Sequence, residues 1–253
     1  MELIGNSDPS LFEHYATRDT LMAFDYDGTL APIVADPVVA HMRPATRLGL
    51  QELARRCRVI VISGRSRRDA MRLLGGIPLA EVIGNHGIEA YGASPTRLTA
   101  RVTTWLAELT AQLSWLEGIY IEDKRFSLSI HYRHCADPGA GTIIYSAAQS
   151  LSHARLVRGK SVLNVVPAEA PDKGATLLRL LRKFGSPRTL YVGDDDTDED
   201  VFALDMPDQV LGIRVGVSEE TAANYALRDQ ADIDGLLDLL LARLGRPAEQ
   251  RIV

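Results

Sequence analysis

The stretch TLMAFDYDGTLAP, residues 20–32, decides how the rest of the chain is read. Its apolar run, Leu21 to Phe24, stops at two carboxylates on alternate positions, Asp25 and Asp27, with Gly28 straight after. Asp and Gly are ordinary turn residues, so a strand ending in a turn accounts for the spacing by itself. Carboxylates that close also raise each other's pKa unless a cation holds them, which makes a chemically active strand end the second reading. The neighbouring segments have to separate the two.

Outward from this run, short β-branched and aliphatic segments alternate with helical patterns. LMAFDY (21–26) is followed by a helix over 44–56, VIVIS (59–63), a helix over 66–74, and EVIGN (81–85). This βαβαβ rhythm, with strands apolar throughout, predicts a parallel sheet covered by helices on both faces. The rhythm returns with a helix over 174–184, TLYVG (189–193), another helix, LGIRV (211–215) and a last helix over 234–244.

The middle of the chain has a different pattern. Residues 99–118 place Val102, Trp105, Leu106, Leu109, Leu113 and Leu116 at helical spacing, a core stripe. IYIED and SLSIHYR follow, and in the second Leu128, Ile130 and Tyr132 alternate with Ser129, His131 and Arg133, as in a strand with one buried face. A helix over 139–153 and the strands LVRG and SVLNVV repeat the order helix, strand, strand. The expected architecture is α/β, a Rossmann-like parallel-sheet core (1–91 and 168–253) with a smaller inserted α+β cap domain (92–167), bounded near Pro95 and Pro167.

Bulk composition narrows the partners. The 28 basic against 33 acidic residues leave a net charge of −5, which offers no basic field for a nucleic-acid backbone. No segment approaches the ~18 apolar residues of a membrane span, and the N-terminal stretch lacks the basic start and apolar core of a signal peptide. A cytoplasmic protein acting on a small anionic metabolite, with no nucleic-acid or membrane partner and a monomer favoured, is expected. Cys57 and Cys135 have no CxxC spacing and read as free thiols.

Ligands of an open parallel sheet gather beyond the carboxyl ends of its strands. There the chain places DYDGT, then Ser63, Gly64 and Arg65, then GNHG (84–87) with Asn85 and His86, and finally GDDDTDED; Lys173 opens the next-to-last long helix pattern. Six of the seven residues from Asp194 to Asp200 are acidic, a density that a helix N-terminus or a cation must offset. A solvated helix-capping turn fits this run, and a calcium loop does not, because Glu199 stands where its sixth position needs glycine. Joined with Asp25 and Asp27, the run fits Mg²⁺, which binds through a few carboxylates and keeps other positions for water and phosphate. Ser63 is equally a helix N-cap and Lys173 a surface charge, but together they form a phosphate clamp.

These four motifs in this order resemble haloacid-dehalogenase-like phosphohydrolases, with 92–167 in the place of the inserted cap. The resemblance implies that Asp25 is the nucleophile and Asp27 the general acid and base, with Ser63 and Lys173 on the phosphoryl group. It implies Mg²⁺ held by the Asp25 carboxylate, the Asp27 carbonyl and Asp194, with Asp195 and Asp198 at the metal's periphery.

Within that superfamily the strings GNHGIEAY, IEDKRFSLSIHYR and GKSVLNVVPAEAPDKG are similar to trehalose-6-phosphate phosphatases. The likeness implies contacts to a disaccharide from Gly64, Arg65, Asn85, His86, Glu122, Lys124, His131, Arg133, Lys160 and Asn164. Without it, Glu122 and Lys124 also read as an exposed ion pair, and His131 as a strand surface residue. One position departs: Asn164 stands where the family usually has glutamate, which keeps an acceptor, adds donors and removes charge. Another glycosyl phosphate, such as a sucrose or glucosylglycerol phosphate, a phosphomutase reaction or a non-catalytic sugar-phosphate sensor are the alternatives.

Overall fold

The computed structural model describes residues 2–4, 11–34, 36–90, 96–159 and 161–245. In chain order the elements are β1 (Glu2–Leu3), α1 (Leu11–Tyr15), β2 (Leu21–Phe24), α2 (Pro44–Arg56), β3 (Arg58–Ile62), α3 (Arg67–Leu73) and β4 (Glu81–Ile83). A middle group follows, α4 (Thr96–Leu113), β5 (Tyr120–Asp123), β6 (Leu128–His131), α5 (Ala140–Gln149), β7 (Ala154–Gly159) and β8 (Val162–Pro167). The chain then returns through α6 (Lys173–Phe184), β9 (Thr189–Gly193), α7 (Glu199–Phe202), β10 (Val210–Val215), β11 (Tyr225–Leu227) and α8 (Ile233–Leu244).

Seven strands form one parallel sheet in the order β1-β11-β10-β9-β2-β3-β4. Both faces are buried because successive side chains leave a strand on opposite sides. Met22 and Phe24 pack with Leu50, Leu53, Leu236 and Leu240 of α2 and α8, while Leu21 and Ala23 pack with Leu177 and Leu180 of α6 and Val201 of α7. From β2 the chain winds one way to β4, and from β9 it winds the other way to β11. The topological switch point therefore lies between β2 and β9, where such sheets open a binding crevice.

The second sheet is antiparallel, ordered β5-β6-β8-β7, and its apolar face closes on α4 and α5 through Trp105, Leu109, Leu128, Ile130, Ile144, Leu163 and Val165. Its register lines up Glu122, Ser129, Asn164 and Val157 in one row and Tyr120, His131, Val162 and Gly159 in the next. By the same alternation both rows lie on the face away from α4 and α5. This is the α/β core with a separate small α+β unit that the alternating patterns predict.

Two helices stop earlier than the periodicity implies. The helix over 99–118 ends at Leu113, short of the turn where Gly118 takes φ +82°, and the helix over 139–153 ends at Gln149, before His153 takes φ +57°. Positive φ cannot continue a right-handed helix. The edge strand β1 and its neighbour β11, at two and three residues, are too short to carry a readable pattern. Among the described residues no helix is long and apolar enough to cross a membrane. Cys57 and Cys135 are free thiols, and burial pushes Cys57 up to about 12. Pro95 and Lys160 lie outside the described residues.

Candidate active site

Asp25 leaves β2 at the switch point with its backbone N–H donated to Val192 of β9 at 2.8 Å. Gly28, two residues beyond Tyr26, has φ +82°, and a Cβ there would overlap the Asp194 carboxylate. Only glycine lets this turn fold back so close to the loop that follows β9. Lys173 is the first residue of α6, whose N-cap Asp172 accepts from the Ala175 N–H at 2.7 Å. That cap fixes the start of the helix and so aims Lys173 inward. Its ammonium donates to Asp25 Oδ1 at 3.0 Å and to Asp198 Oδ1 at 2.7 Å, all three side chains being almost wholly buried.

Asp198 has its acceptor directions filled. Besides Lys173 it accepts from the Tyr191 hydroxyl at 2.5 Å on Oδ1, and from the backbone N–H groups of Asp194 and Asp195, each at 2.9 Å, on Oδ2. It thus holds the acidic loop and the lysine in place. Tyr191 was not singled out in the sequence; a phenol in an otherwise aliphatic central strand needs a buried partner, and that is the signal it carried. Burial pushes the Tyr191 hydroxyl well above its usual range, and the Asp198 carboxylate adds to this.

The carboxylates of Asp25, Asp194 and Asp198 offer atoms within 4.8 Å of one another. Burial pushes Asp25 well above the carboxylate range; Lys173 pulls it down, and Asp198, Asp194 and Asp27 push it up again. Burial alone would lower Lys173, but Asp198 and Asp25 outweigh it and hold the ammonium above its ordinary value. With the acceptor directions of Asp198 filled, the Asp25 and Asp194 carboxylates, oxygen donors from two strand ends in a cluster of three carboxylates against one ammonium, fit a hard divalent cation. The side chains of Asp27 and Asp195 are not part of this cluster. Asp195 Oδ1 accepts from the Asp196 N–H at 2.9 Å, and its other oxygen faces Gly159 at the end of β7.

Asp27 turns to Arg65. The Nε and Nη2 groups of the guanidinium donate to the two carboxylate oxygens at 2.6 Å each, a bidentate pair. Ser63 is fully buried, and its hydroxyl accepts from the Arg65 N–H at 3.1 Å. Gly64 lies against the His86 ring, which a Cβ there would strike. Asn85 and His86 both have positive φ, +49° and +56°, backbone strain of a kind that collects at functional sites. Burial drives His86 well below its usual pKa, and the charges of Lys173, Lys124 and Arg155 act the same way.

The small sheet lays its polar face over this crevice. Its strand β7 packs on the 3-10 turn Asp196–Asp198 of the acidic loop. His131 Nε2 meets Glu122 Oε2 at 2.9 Å, Lys124 Nζ is 3.8 Å from the same oxygen, and the Tyr120 ring stacks on His131 at 5.9 Å. Burial alone would raise Glu122; the hydrogen bond from His131 and the charge of Lys124 hold it below its usual value. The Asn164 carboxamide oxygen accepts from the Ser129 hydroxyl at 2.6 Å. Arg133 Nη1 donates to the Val34 carbonyl of the core at 3.3 Å. The structure thus brings together Asp25, Asp194, Asp198 and Lys173, and separately Asp27 with Arg65 and Glu122 with Lys124 and His131.

A doubly wound parallel sheet, a buried aspartate–lysine–acidic-loop cluster at its switch point and a small sheet laid over it define the haloacid-dehalogenase-like hydrolase class. The model of the family described as trehalose-phosphatase matches residues 23–231, and the chain belongs to that family. It is 32% identical over 249 residues to the probable trehalose-phosphate phosphatase 4 of Oryza sativa, covering 88% of this chain and 67% of that one. It is also 32% identical over 255 residues to the trehalose-phosphate phosphatase of Mycobacterium bovis, covering 92% and 64%. The chain therefore spans about two-thirds of the length of these curated relatives. Its fold is shared with the C-terminal domain of C. albicans trehalose-6-phosphate phosphatase, at a TM-score of 0.78 and 24% identity over 92% of this chain and 96% of that one.

Proposed function

We propose that this protein hydrolyses trehalose 6-phosphate to trehalose and phosphate with Mg²⁺ as cofactor. The observation that carries this reading is the buried Asp25–Lys173–Asp198 cluster beside Asp194, covered by the polar face of the small sheet, in a chain of the trehalose-phosphatase family. Residues 92–167 act as the cap and the two flanking segments as the catalytic core.

Asp25 attacks phosphorus and forms an aspartyl phosphate as the bond to the sugar oxygen breaks. Asp27 gives that oxygen its proton, then takes one from the water that attacks the aspartyl phosphate, so that phosphate leaves and Asp25 is restored. Lys173 and the Ser63 hydroxyl face the phosphoryl oxygens. Mg²⁺, when bound, supplies charge neutralisation for the phosphoryl group, and Asp25, Asp194 and the Asp27 carbonyl are the residues that would hold it. Asp198 and Asp195 shape the loop around it.

On the cap side, Glu122, Lys124, His131, Arg133 and Asn164 present charged and amide groups to the sugar hydroxyls, with Arg65 and His86 below them. The neutral Ser129–Asn164 pair favours a second reading, a different glycosyl phosphate, because a carboxamide and a hydroxyl select hydroxyl geometry differently from a carboxylate. The two are separated by incubating the purified protein with Mg²⁺ and a panel of phosphorylated mono- and disaccharides and measuring released phosphate. A preference for trehalose 6-phosphate supports the proposal; equal slow release from every ester overturns it.

A further inference from the structure

The turn joining β5 to β6, Lys124 to Ser127, belongs to the small sheet but is bonded to the core. The Ser127 hydroxyl donates to the Asn85 side-chain oxygen at 2.5 Å, and the Asn85 amide donates to the Lys124 carbonyl at 3.2 Å and to Glu89 Oε2 at 2.7 Å. Two acceptors on one side and a hydroxyl on the other fix which way the amide points. Ser127 and Asn85 are 1% and 0% exposed, and Phe126 of the same turn is buried against Ile88 and Ala170 of the core.

Asn85 also reaches the catalytic side. Its backbone N–H donates to the Arg65 carbonyl at 2.7 Å, and Arg65 grips Asp27. On the cap side, the Lys124 whose carbonyl Asn85 holds sends its own ammonium to the Gly64 carbonyl at 3.3 Å. One buried residue therefore touches both, its side chain holding the turn that carries Lys124 and its backbone N–H the loop that carries Gly64 and Arg65.

We propose that Ser127 and Asn85 form a clasp between cap and core, and that Ser127 is a positioning residue that seats Lys124 over Gly64 and Arg65 for the sugar end of the substrate. Ser127 touches no reacting atom; it acts through Asn85 and Lys124. The inference rests on the phosphatase reading for its catalytic consequence, and on the contacts alone for its structural one. Asn85, read from the sequence as a sugar contact, has its amide engaged by the protein itself.

The test is a double-mutant cycle with Ser127→Ala and Asn85→Gly, glycine being chosen because it accepts the positive φ of residue 85. For each protein kcat/KM is measured with Mg²⁺ on trehalose 6-phosphate and on p-nitrophenyl phosphate, a small ester with no sugar for the cap to hold. Ser127→Ala is expected to lower the preference for the sugar ester by about tenfold, the order of one buried hydrogen bond, and the double variant to lose no more preference than Asn85→Gly alone. A merely structural role would slow both esters alike. Two losses that multiply in the double variant overturn the clasp, and an unchanged preference overturns the positioning role of Ser127. Amide hydrogen exchange without substrate gives a second measurement: residues 124–128 exchange about tenfold faster in Ser127→Ala if the clasp exists, and at the wild-type rate if it does not. Should the wild-type protein show no preference for trehalose 6-phosphate, the substrate reading fails on that result, and the exchange rates still decide the clasp.

Discussion

Arg65 grips Asp27 through both carboxylate oxygens, with two hydrogen bonds of 2.6 Å. The pair fixes where Asp27, the proposed acid–base carboxylate, sits relative to Asp25, two residues earlier on the same strand end. A lysine keeps the charge and loses the planar fork. Arg65→Lys is therefore expected to lower kcat by roughly 10²-fold, the low end of what a placed acid–base group contributes, with a smaller change in KM. Steady-state kinetics on trehalose 6-phosphate check this; a KM effect alone would make Arg65 a substrate contact only.

Asp198 supports the site more than it acts in it. Tyr191→Phe removes one donor and leaves Lys173 and two backbone N–H groups on the carboxylate, so unfolding free energy should fall by about 1.5 kcal/mol. Asp198→Ala strands those donors and leaves the buried Lys173 ammonium with Asp25, at a cost of roughly 3–5 kcal/mol. Urea unfolding of the two variants measures both. Equal losses would mean that the carboxylate does not hold the loop.

His86 gives the protein an acid-side instability. Burial, with Lys173, Lys124 and Arg155 nearby, keeps its folded-state pKa well below the usual value. Below pH ~6.5 the unfolded chain takes up a proton at this position and the folded chain does not. Stability therefore falls as the pH drops, by up to about 1.4 kcal/mol per pH unit from this residue, and is flat above about pH 7. Asn tolerates positive φ, so His86→Asn should fold and lose that slope. Urea unfolding between pH 5 and 8 compares the two; an identical slope in the variant would mean that His86 protonates freely in the fold.

The parallel sheet was legible because strands buried on both faces must be apolar throughout, as LMAF, VIVI and LYV are. The strand-end residues were legible because the fold gathers them, and Asp25, Lys173 and Asp194 meet as the motif order implies. What the sequence could not show was pairing across elements. Period two places Asn164 on the polar face, but only the register β6 to β8 puts Ser129 opposite it. Arg65 read as a sugar contact because nothing in SGRS reveals that its guanidinium reaches back to Asp27. Ser127 read as an ordinary strand residue because its partner, Asn85, lies on the other domain.

In the proposed mechanism Asp25 carries phosphate during Mg²⁺-dependent hydrolysis of trehalose 6-phosphate. The direct measurement is rapid acid quench of the protein mixed with the ester labelled at phosphorus, followed by peptide mapping. Label that appears on the peptide containing Asp25 within the first turnover, turns over as phosphate is released, and is absent in Asp25→Asn is the predicted result. Phosphate release at the wild-type rate by Asp25→Asn, with no labelled protein at any time, would contradict it.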